Sequence, residues 1–343
     1  MEVLVSEKIL VIQTAFLGDA ILTLPMVQKL KEKFPRSHIT VLCIPSTKEI
    51  FENSPAVDAI VVYDKKGRQK SWTEFFKLAK RIRGEKYARV YSPHRSPRST
   101  VLSFFSSAKK TVGFDNAGLS FLYDVRKKYF KNIHEVARNL YLIGSSIEND
   151  EWRIRPVLST TEIVKEKIQR ILREFTHKKL IAVAPGSVWN TKRYPQEYFV
   201  EIIKFLLMQN YEVMILGGKE DESLCSEIES NFKSSVKSFA GKLTIVESIE
   251  LLKSVDLLIS NDSAPTHMAM AADVPVLTIY CSTVASFGFY PYNKRSQVIS
   301  YDELDCKPCG IHGYDSCPIK SFDCAFKLSP RLVIDKVVQM ITP

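Results

Sequence analysis

Leu258-Ile-Ser-Asn-Asp-Ser-Ala-Pro-Thr-His-Met-Ala-Met-Ala-Ala-Asp-Val-Pro-Val-Leu-Thr-Ile-Tyr-Cys-Ser282 is the stretch that decides the fold. It predicts a buried strand over Val255–Ile259, a polar turn at Asn261, Asp262 and Ser263, a helix over Ala264–Ala272, and a second buried strand over Val274–Tyr280. Two short apolar runs joined by a helix make one βαβ unit of a parallel sheet. Pro265 suits the first helical turn, where its missing N–H costs nothing. Ala269, Ala271 and Ala272 let the helix lie close to the sheet, and His267 falls about one turn in. Open α/β sheets bind ligands at the carboxyl ends of their strands, and helix N-termini there attract anions. By itself the stretch reads equally as a plain βαβ unit with a Ser or Asp N-cap.

The same alternation continues outward. Before the stretch, strands are predicted over Leu180–Ala184 and Glu212–Leu216. Helices are predicted over Gln196–Gln209, from Glu222 to Phe232, and over Ile245–Ser254. Nearer the N-terminus, strands fall at Lys8–Gln13, Ile39–Ile44, Ala59–Tyr63, Tyr87–Tyr91 and Lys110–Phe114. Between them lie helices over Ile21–Phe34, Thr47–Asn53, Ser71–Arg83 and Thr100–Ser106. Residues 118–136 are basic, aromatic and irregular, and a helix over Val136–Ile143 follows. Ser145–Pro156 is polar, and a helix over Thr161–Phe175 precedes the restart of the pattern. A chain of 343 residues exceeds one ordinary domain. The expected division is a domain at 1–155, a linker and helix at 156–178, a second domain at 179–329, and an amphipathic terminal helix at 330–343.

Composition sets the outer bounds. Hydrophobic residues at 45% and charged residues at 25% are ordinary for a soluble globular protein. Met1–Lys8 lacks the features of a signal peptide, and no apolar run reaches the roughly 18–20 residues that span a bilayer. A cytoplasmic protein is expected. The net charge of +10 is one-sided. Residues 1–155 hold 27 Lys and Arg against 16 Asp and Glu, and residues 65–131 hold 18 against 4. This calls for an anionic partner such as nucleic acid, an acidic membrane surface or a phosphorylated substrate, or else for a solvated basic face. Cys43, Cys225 and Cys281 are scattered and expected to be buried and reduced. Cys306, Cys309, Cys317 and Cys324 follow a C-x2-C-x7-C-x6-C spacing that could hold a metal, but its second half does not repeat the pair spacing of a zinc ribbon.

The strand ends of the second half agree in chemistry. Ser187, Thr191 and Lys192 lie on one loop, Gly217 and Gly218 with Asp221 and Glu222 on the next, then Lys242–Thr244, then Asp262–Ala264. Hydroxyls, a lysine and a helix N-terminus suit a diphosphate, and a carboxylate suits ribose hydroxyls. Neither G-x-G-x-x-G nor G-x-x-x-x-G-K-[ST] occurs, which speaks against a dinucleotide dehydrogenase and a P-loop NTPase. In the first half Asp19 follows Gly18 at a strand–helix junction, where it can serve as a general base or as a helix N-cap. The loop carrying His94, Arg95 and Arg98 reads as an anion site or as a solvated loop.

Five motifs in order resemble glycosyltransferase family 9, the bacterial ADP-heptose:lipopolysaccharide heptosyltransferases. They are Leu17-Gly-Asp-Ala-Ile-Leu-Thr-Leu-Pro25, Ala184-Pro-Gly-Ser-Val-Trp-Asn-Thr-Lys-Arg-Tyr-Pro195, Gly217-Gly218 with its acidic follow-on, Ala240-Gly-Lys-Leu-Thr244, and Asn261-Asp-Ser-Ala-Pro-Thr-His-Met-Ala269. The Cys306-Lys-Pro-Cys309 and Cys317-Pro318 segment is similar to the tail of the heptosyltransferase II branch. The resemblance runs from about residue 8 to residue 341. It implies an α/β GT-B fold, with two Rossmann-like βαβ domains facing across a cleft and the C-terminal helix packing back on the N-terminal domain. It implies an inverting transfer of L-glycero-D-manno-heptose from ADP-heptose to the inner core of lipopolysaccharide, with no cofactor and no metal.

By the same resemblance Asp19 is the general base. Lys192, with Ser187, Thr191 and the N–H groups of Ser263 and Ala264, faces the diphosphate. Glu222 holds the ribose, Leu243 lines the adenine pocket, Asp262 holds heptose hydroxyls, and His267 supports the donor site. Val188 stands where some members have Thr. The resemblance places the acceptor in the basic N-terminal half, where the loop of Arg95 and Arg98 is the expected acceptor-binding site. The implied protein is a monomer at the cytoplasmic face of the inner membrane, touching the membrane surface and no nucleic acid. The competing readings are a transferase of the same fold with another sugar nucleotide or glycan acceptor, and a catalytically silent glycan- or nucleotide-binding protein.

Overall fold

A computed structural model describes residues 7–176 and 179–341 of the chain. It divides into two compact units, residues 1–159 and 160–343. In the first, strands β1 (Lys8–Ile12), β2 (His38–Cys43), β3 (Ala59–Val62), β4 (Arg89–Ser92), β5 (Lys110–Phe114) and β6 (Val125–Lys127) form one parallel sheet. Its order is β3-β2-β1-β4-β5-β6. β1 is central, and Ile9, Leu10, Val11 and Ile12 are fully buried. A continuous apolar run is what a strand covered on both faces requires, and each such side chain contributes roughly 1.5–3 kcal/mol of burial. The helices α1 (Leu17–Lys33), α2 (Lys48–Glu52), α3 (Trp72–Gly84), α4 (Pro97–Phe105) and α5 (Glu135–Leu142) complete the unit. α1 packs on α5, where fully buried Asn139 donates to Leu22 O at 3.2 Å.

The second unit has the same plan. Strands β7 (Leu180–Ala184), β8 (Glu212–Ile215), β9 (Val236–Ser238), β10 (Leu257–Asn261), β11 (Val276–Tyr280) and β12 (Gln297–Ser300) run parallel in the order β12-β11-β10-β7-β8-β9. Read from the other edge, that is the order of the first sheet. The strand order reverses at β1/β4 in one unit and at β7/β10 in the other, and ligands of doubly wound sheets bind at such points. The helices are α6 (Glu162–Leu172), α7 (Gln196–Met208), α8 (Glu222–Glu229), α9 (Ile245–Leu252), α10 (Ala264–Ala272), α11 (Asp323–Phe326) and α12 (Pro330–Ile341). α6 lies on α9, with Lys167 Nζ 2.7 Å from Glu247 Oε2.

Three short edge strands, β6, β9 and β12, were not expected. None exceeds four residues, and β6 and β12 have no buried residue, so no apolar run marked them. The terminal helix is a correction. α12 was expected to pack back on the first domain. Its buried residues Val333, Ile334, Val337 and Ile341 instead belong to the core of the second unit, against α7. Lys179 Nζ closes the end by donating to Ile341 O at 2.6 Å. An apolar stripe takes the nearest matching one, and α7 offers Phe199, Ile202, Ile203 and Leu206.

Candidate active site

In the second unit the loops after β7 and β10 meet at the reversal of strand order. Lys192 Nζ lies 2.6 Å from Asp262 Oδ2, with both side chains nearly buried. Thr283 Oγ1 donates to the same carboxylate oxygen at 2.6 Å. Asn261, at the end of β10, holds the opposite loop by accepting from Tyr194 N at 3.0 Å and donating to Pro185 O at 2.7 Å. Ser263 occupies the N-cap position of α10, yet its side chain makes no cap hydrogen bond. Its hydroxyl donates to Gly186 O at 3.2 Å instead. The start of α10 therefore keeps the N–H groups of Ser263 and Ala264 for an anion, while Pro265 has none to offer and Thr266 N–H donates to Ser263 O at 3.1 Å. His267 is buried beneath this turn, and its Nδ1 has no hydrogen-bond partner. Burial drives its pKa down to about 4, opposed by Asp262 and aided by Lys192, so the ring is neutral at pH 7.

The loops after β8 and β9 extend the site along the sheet edge. The Asp221 carboxyl lies where a Cβ on Gly186 would stand, and it accepts from Gly218 N at 3.0 Å. The Glu222 carboxylate lies over Gly241, whose φ of +69° is open to glycine and strained for other residues. Glu222 is exposed and Leu243 half-buried at this end. Ser187 is buried, its carbonyl accepting from Arg193 Nε at 2.8 Å, while Val188 is exposed.

Thr191 is buried and anchored by hydrogen bonds through both its hydroxyl and its backbone N–H. Its hydroxyl oxygen accepts from Ser282 Oγ at 3.0 Å and Tyr314 N at 2.8 Å, and its own N–H donates to Tyr314 O at 3.0 Å. It pins the Cys-rich segment to the Lys192 loop. Gly313, with φ +81°, wedges between Thr191, Ser282 and Lys192. Ser282, Thr283, Gly313 and Tyr314 are site neighbours that the sequence reading missed. They reach the site from a segment more than 90 residues along the chain from Thr191, and only Gly313 carried a local signal.

In the first unit Asp19 is the third residue of α1, and the N-cap is Phe16. The N-cap alternative therefore does not describe it. Gln13 Nε2 donates to Thr23 Oγ1 at 2.8 Å, and Thr23 Oγ1 donates to Asp19 O at 2.7 Å, fixing the turn. Burial raises the Asp19 carboxyl to about 7, and the Glu135 carboxylate adds to the rise. Backbone hydrogen bonds at Phe16 and Asp19, and the charge of Arg95, work against it. Glu135 is itself buried and paired with Arg138 at 2.6 Å. The Arg138 guanidinium also donates to Phe130 O at 2.8 Å and Lys131 O at 2.7 Å. Tyr129 has Arg95 4.1 Å and Arg138 4.8 Å from its ring centroid. Tyr129, Glu135 and Arg138 were likewise missed, Tyr129 and Glu135 because a basic, aromatic run gave no period to read, and Arg138 because its helix carried no local sign of a site.

Arg95 and Arg98 are held by aromatic rings rather than waving in solvent. Arg98 lies 5.6 Å over Trp72 and donates to Tyr63 OH at 3.5 Å. His94 proves structural. Its Nδ1 lies 2.8 Å from both Thr14 Oγ1 and Ser99 Oγ, and burial lowers its pKa to about 4, so it adds no charge to an anion site. Cys43, Cys225 and Cys281 are buried and free, as expected, and Cys324 is also buried. Among the described residues no group of three or more His, Cys, Asp or Glu is arranged to hold a metal ion.

Two parallel sheets of Rossmann order, each with polar loops at its reversal point, are the architecture of GT-B glycosyltransferases. The chain belongs to glycosyltransferase family 9 (heptosyltransferase), whose profile matches residues 75–313. It is a glycosyltransferase. It is 26% identical to lipooligosaccharide heptosyltransferase 2 of Campylobacter jejuni, covering 98% of this chain and 100% of that protein. Among solved structures it is similar to a family 9 glycosyltransferase of Veillonella parvula, with a TM-score of 0.83, 22% identity and 97% of both chains covered. It is also similar to the ADP-heptose LPS heptosyltransferase II of Escherichia coli, with a TM-score of 0.77 and 20% identity over 97% of this chain and 98% of that one.

Proposed function

We propose that the protein transfers L-glycero-D-manno-heptose from ADP-heptose to the inner core of lipopolysaccharide, inverting the anomeric centre in one displacement. The observation that carries this reading is the Lys192–Asp262 pair beside the uncapped start of α10. A diphosphate entering there finds an ammonium and backbone N–H groups already fixed in place. Lys192 then takes up the negative charge of the departing ADP, so the scheme needs no metal and no cofactor. Ser263 and Ala264 supply N–H groups. Asp262, released from Lys192, is free to accept from heptose hydroxyls, and Ser187 and His267 support the site. Glu222 accepts from the ribose and Leu243 covers the adenine.

On the acceptor side Asp19 takes the proton of the attacking hydroxyl. A carboxyl near 7 is matched to that task at neutral pH, since it is both substantially ionised and basic enough to accept. Arg95 and Arg98 pair with acceptor phosphates and carboxylates. Two of the three similar proteins named above carry heptosyltransferase 2 or II names, which favours this donor and acceptor over another sugar nucleotide. The protein so read works as a monomer at the cytoplasmic face of the inner membrane, with no nucleic-acid partner.

The test is turnover of purified protein with ADP-heptose and truncated lipopolysaccharide acceptors, followed by ADP release and product mass. One heptose added per acceptor, with inverted configuration, is the expected result. Transfer only from UDP- or GDP-sugars would overturn the donor assignment. An Asp19→Ala protein with full activity would overturn the base.

A further inference from the structure

The first unit carries an apolar ridge outside its catalytic residues. Among its described residues seven large hydrophobic side chains are strongly exposed: Phe16, Trp72, Phe76, Phe104, Leu119, Phe121 and Val157. Five of these lie on α3, α4 and the 310 turn around Ser120–Leu122, which packs against α4. Trp72 is 63% exposed, Phe76 50%, Phe104 51% and Phe121 69%. Trp72 and Phe76 have ring centroids 6.3 Å apart, Phe76 and Phe105 5.9 Å, and Phe105 and Phe104 5.6 Å. Trp72 also meets buried Phe75 edge-on at 5.6 Å, so the ridge stands on the core rather than on a loop. Contiguous exposed rings of this kind mark an interaction surface.

Charge selects the partner. Residues 65–84 hold eight Lys and Arg and one acidic residue, Glu74, which is paired with Lys77 at 2.6 Å. On α3 the positions Trp72, Phe76, Lys80 and Arg83 follow at three- and four-residue spacing, so rings and cations share one stripe. A second copy of this face would oppose like charges. Exposed aromatic rings flanked by Lys and Arg match the interfacial zone of a bilayer, where rings enter the headgroup layer and cations meet acidic lipid.

We propose that the ridge of α3, α4 and the Ser120–Leu122 turn docks the protein on an anionic lipid bilayer. Trp72, Phe76, Phe104 and Phe121 enter the headgroup layer, and Lys80 and Arg83 pair with its phosphates. Arg98, an acceptor residue of the proposed function, stacks on Trp72, so the docking surface borders the loop that would receive a lipid-borne acceptor. That link rests on the heptosyl reading, whereas the docking surface stands on its own geometry.

The test is co-sedimentation of the full chain with vesicles, without substrate. Phosphatidylglycerol–phosphatidylethanolamine vesicles are compared with phosphatidylcholine vesicles at 0.15 M and 0.5 M salt. The expected result is at least tenfold stronger partition onto the anionic vesicles, part of it surviving 0.5 M salt. A Phe76→Ser/Phe104→Ser/Phe121→Ser protein should lose at least tenfold and become fully salt-elutable, with unchanged circular dichroism and unchanged turnover of a deacylated, water-soluble acceptor. A Lys80→Glu/Arg83→Glu protein should lose the preference for anionic vesicles. Wild-type partition by the Phe variant, no partition by the wild type, or loss of binding to RNA or an acidic protein with vesicle binding intact would each overturn the proposal. Failure of heptosyl transfer leaves the vesicle readout unchanged, so the two readings fail separately.

Discussion

The two units share a strand order and place their functional loops at the same topological point, yet their electrostatics run in opposite directions. In the second unit the charge is settled internally. Lys192 and Asp262 neutralise each other, and Thr283 adds a hydrogen bond to the same carboxylate; on the proposed reading an incoming diphosphate would take that carboxylate's place. In the first unit the charge is left unsettled. Asp19 is pressed toward its neutral form by burial and by Glu135, opposed by the charge of Arg95, while Arg138 is committed to Glu135 and two carbonyls. A binding site is best preorganised and satisfied, whereas a base must hold a carboxylate that would gain by taking a proton. One fold serves both because the sheet only sets where the loops arrive.

That contrast can be broken at several points. The largest effect is expected from Asp19→Ala, which should cut turnover by about 10²–10⁴-fold and leave ADP affinity, measured by calorimetry, unchanged. Loss of ADP binding would erase the division of labour between the units. Lys192→Ala should cut turnover by about 10²–10³-fold and weaken ADP binding. It should also destabilise the fold by about 3–5 kcal/mol in urea titration, since Asp262 would keep a buried charge without its partner.

The pH dependence sharpens the other side. With the Asp19 carboxyl near 7, kcat/KM should rise about tenfold per pH unit below 7 and level off above it. Glu135→Gln should move that midpoint down by only the smaller part of the rise, because burial is the larger cause. The folded chain holds this proton more tightly than the unfolded chain does. Its stability therefore falls as pH rises from about 4 to 7, and the cost is full above 7. Asp19→Asn should thus be inactive yet more stable at pH 8, by on the order of 1–4 kcal/mol, with no gain at pH 4. Smaller effects fall on two glycines. Gly186→Ala would place a methyl in the Asp221 carboxyl and should cost about 1–3 kcal/mol. Gly84→Ala at the end of α3 meets no neighbour and should be neutral or stabilising by about 0.4–1 kcal/mol.

Much of this was legible in the residues. The alternation of apolar runs and helical periods located the central strands of both sheets to within a few residues. The loops carrying Lys192, Glu222 and Asp262 were visible as polar clusters at strand ends. The edge strands β6, β9 and β12 were not, because strands of three or four residues with little burial carry no pattern. α1 begins at Leu17 rather than Ile21, since its first turn is polar and glycine-bearing and was read as loop. The partners that tune Asp19 were also hidden, Glu135 lying in a segment whose charge and rings mask any period.

The sequence by itself determined the class of fold, the one-sided charge and the identities of the ionisable groups, because these depend on local periodicity and residue type. The tertiary structure decided what those groups are worth. It made Thr191 a pin for the Cys-rich segment, made His94 neutral, moved α12 onto α7, and buried Asp19 beside Glu135 with Arg95 as the opposing cation. Burial and the distance between charges exist only once remote segments meet, and they govern protonation and pairing more strongly than residue type alone.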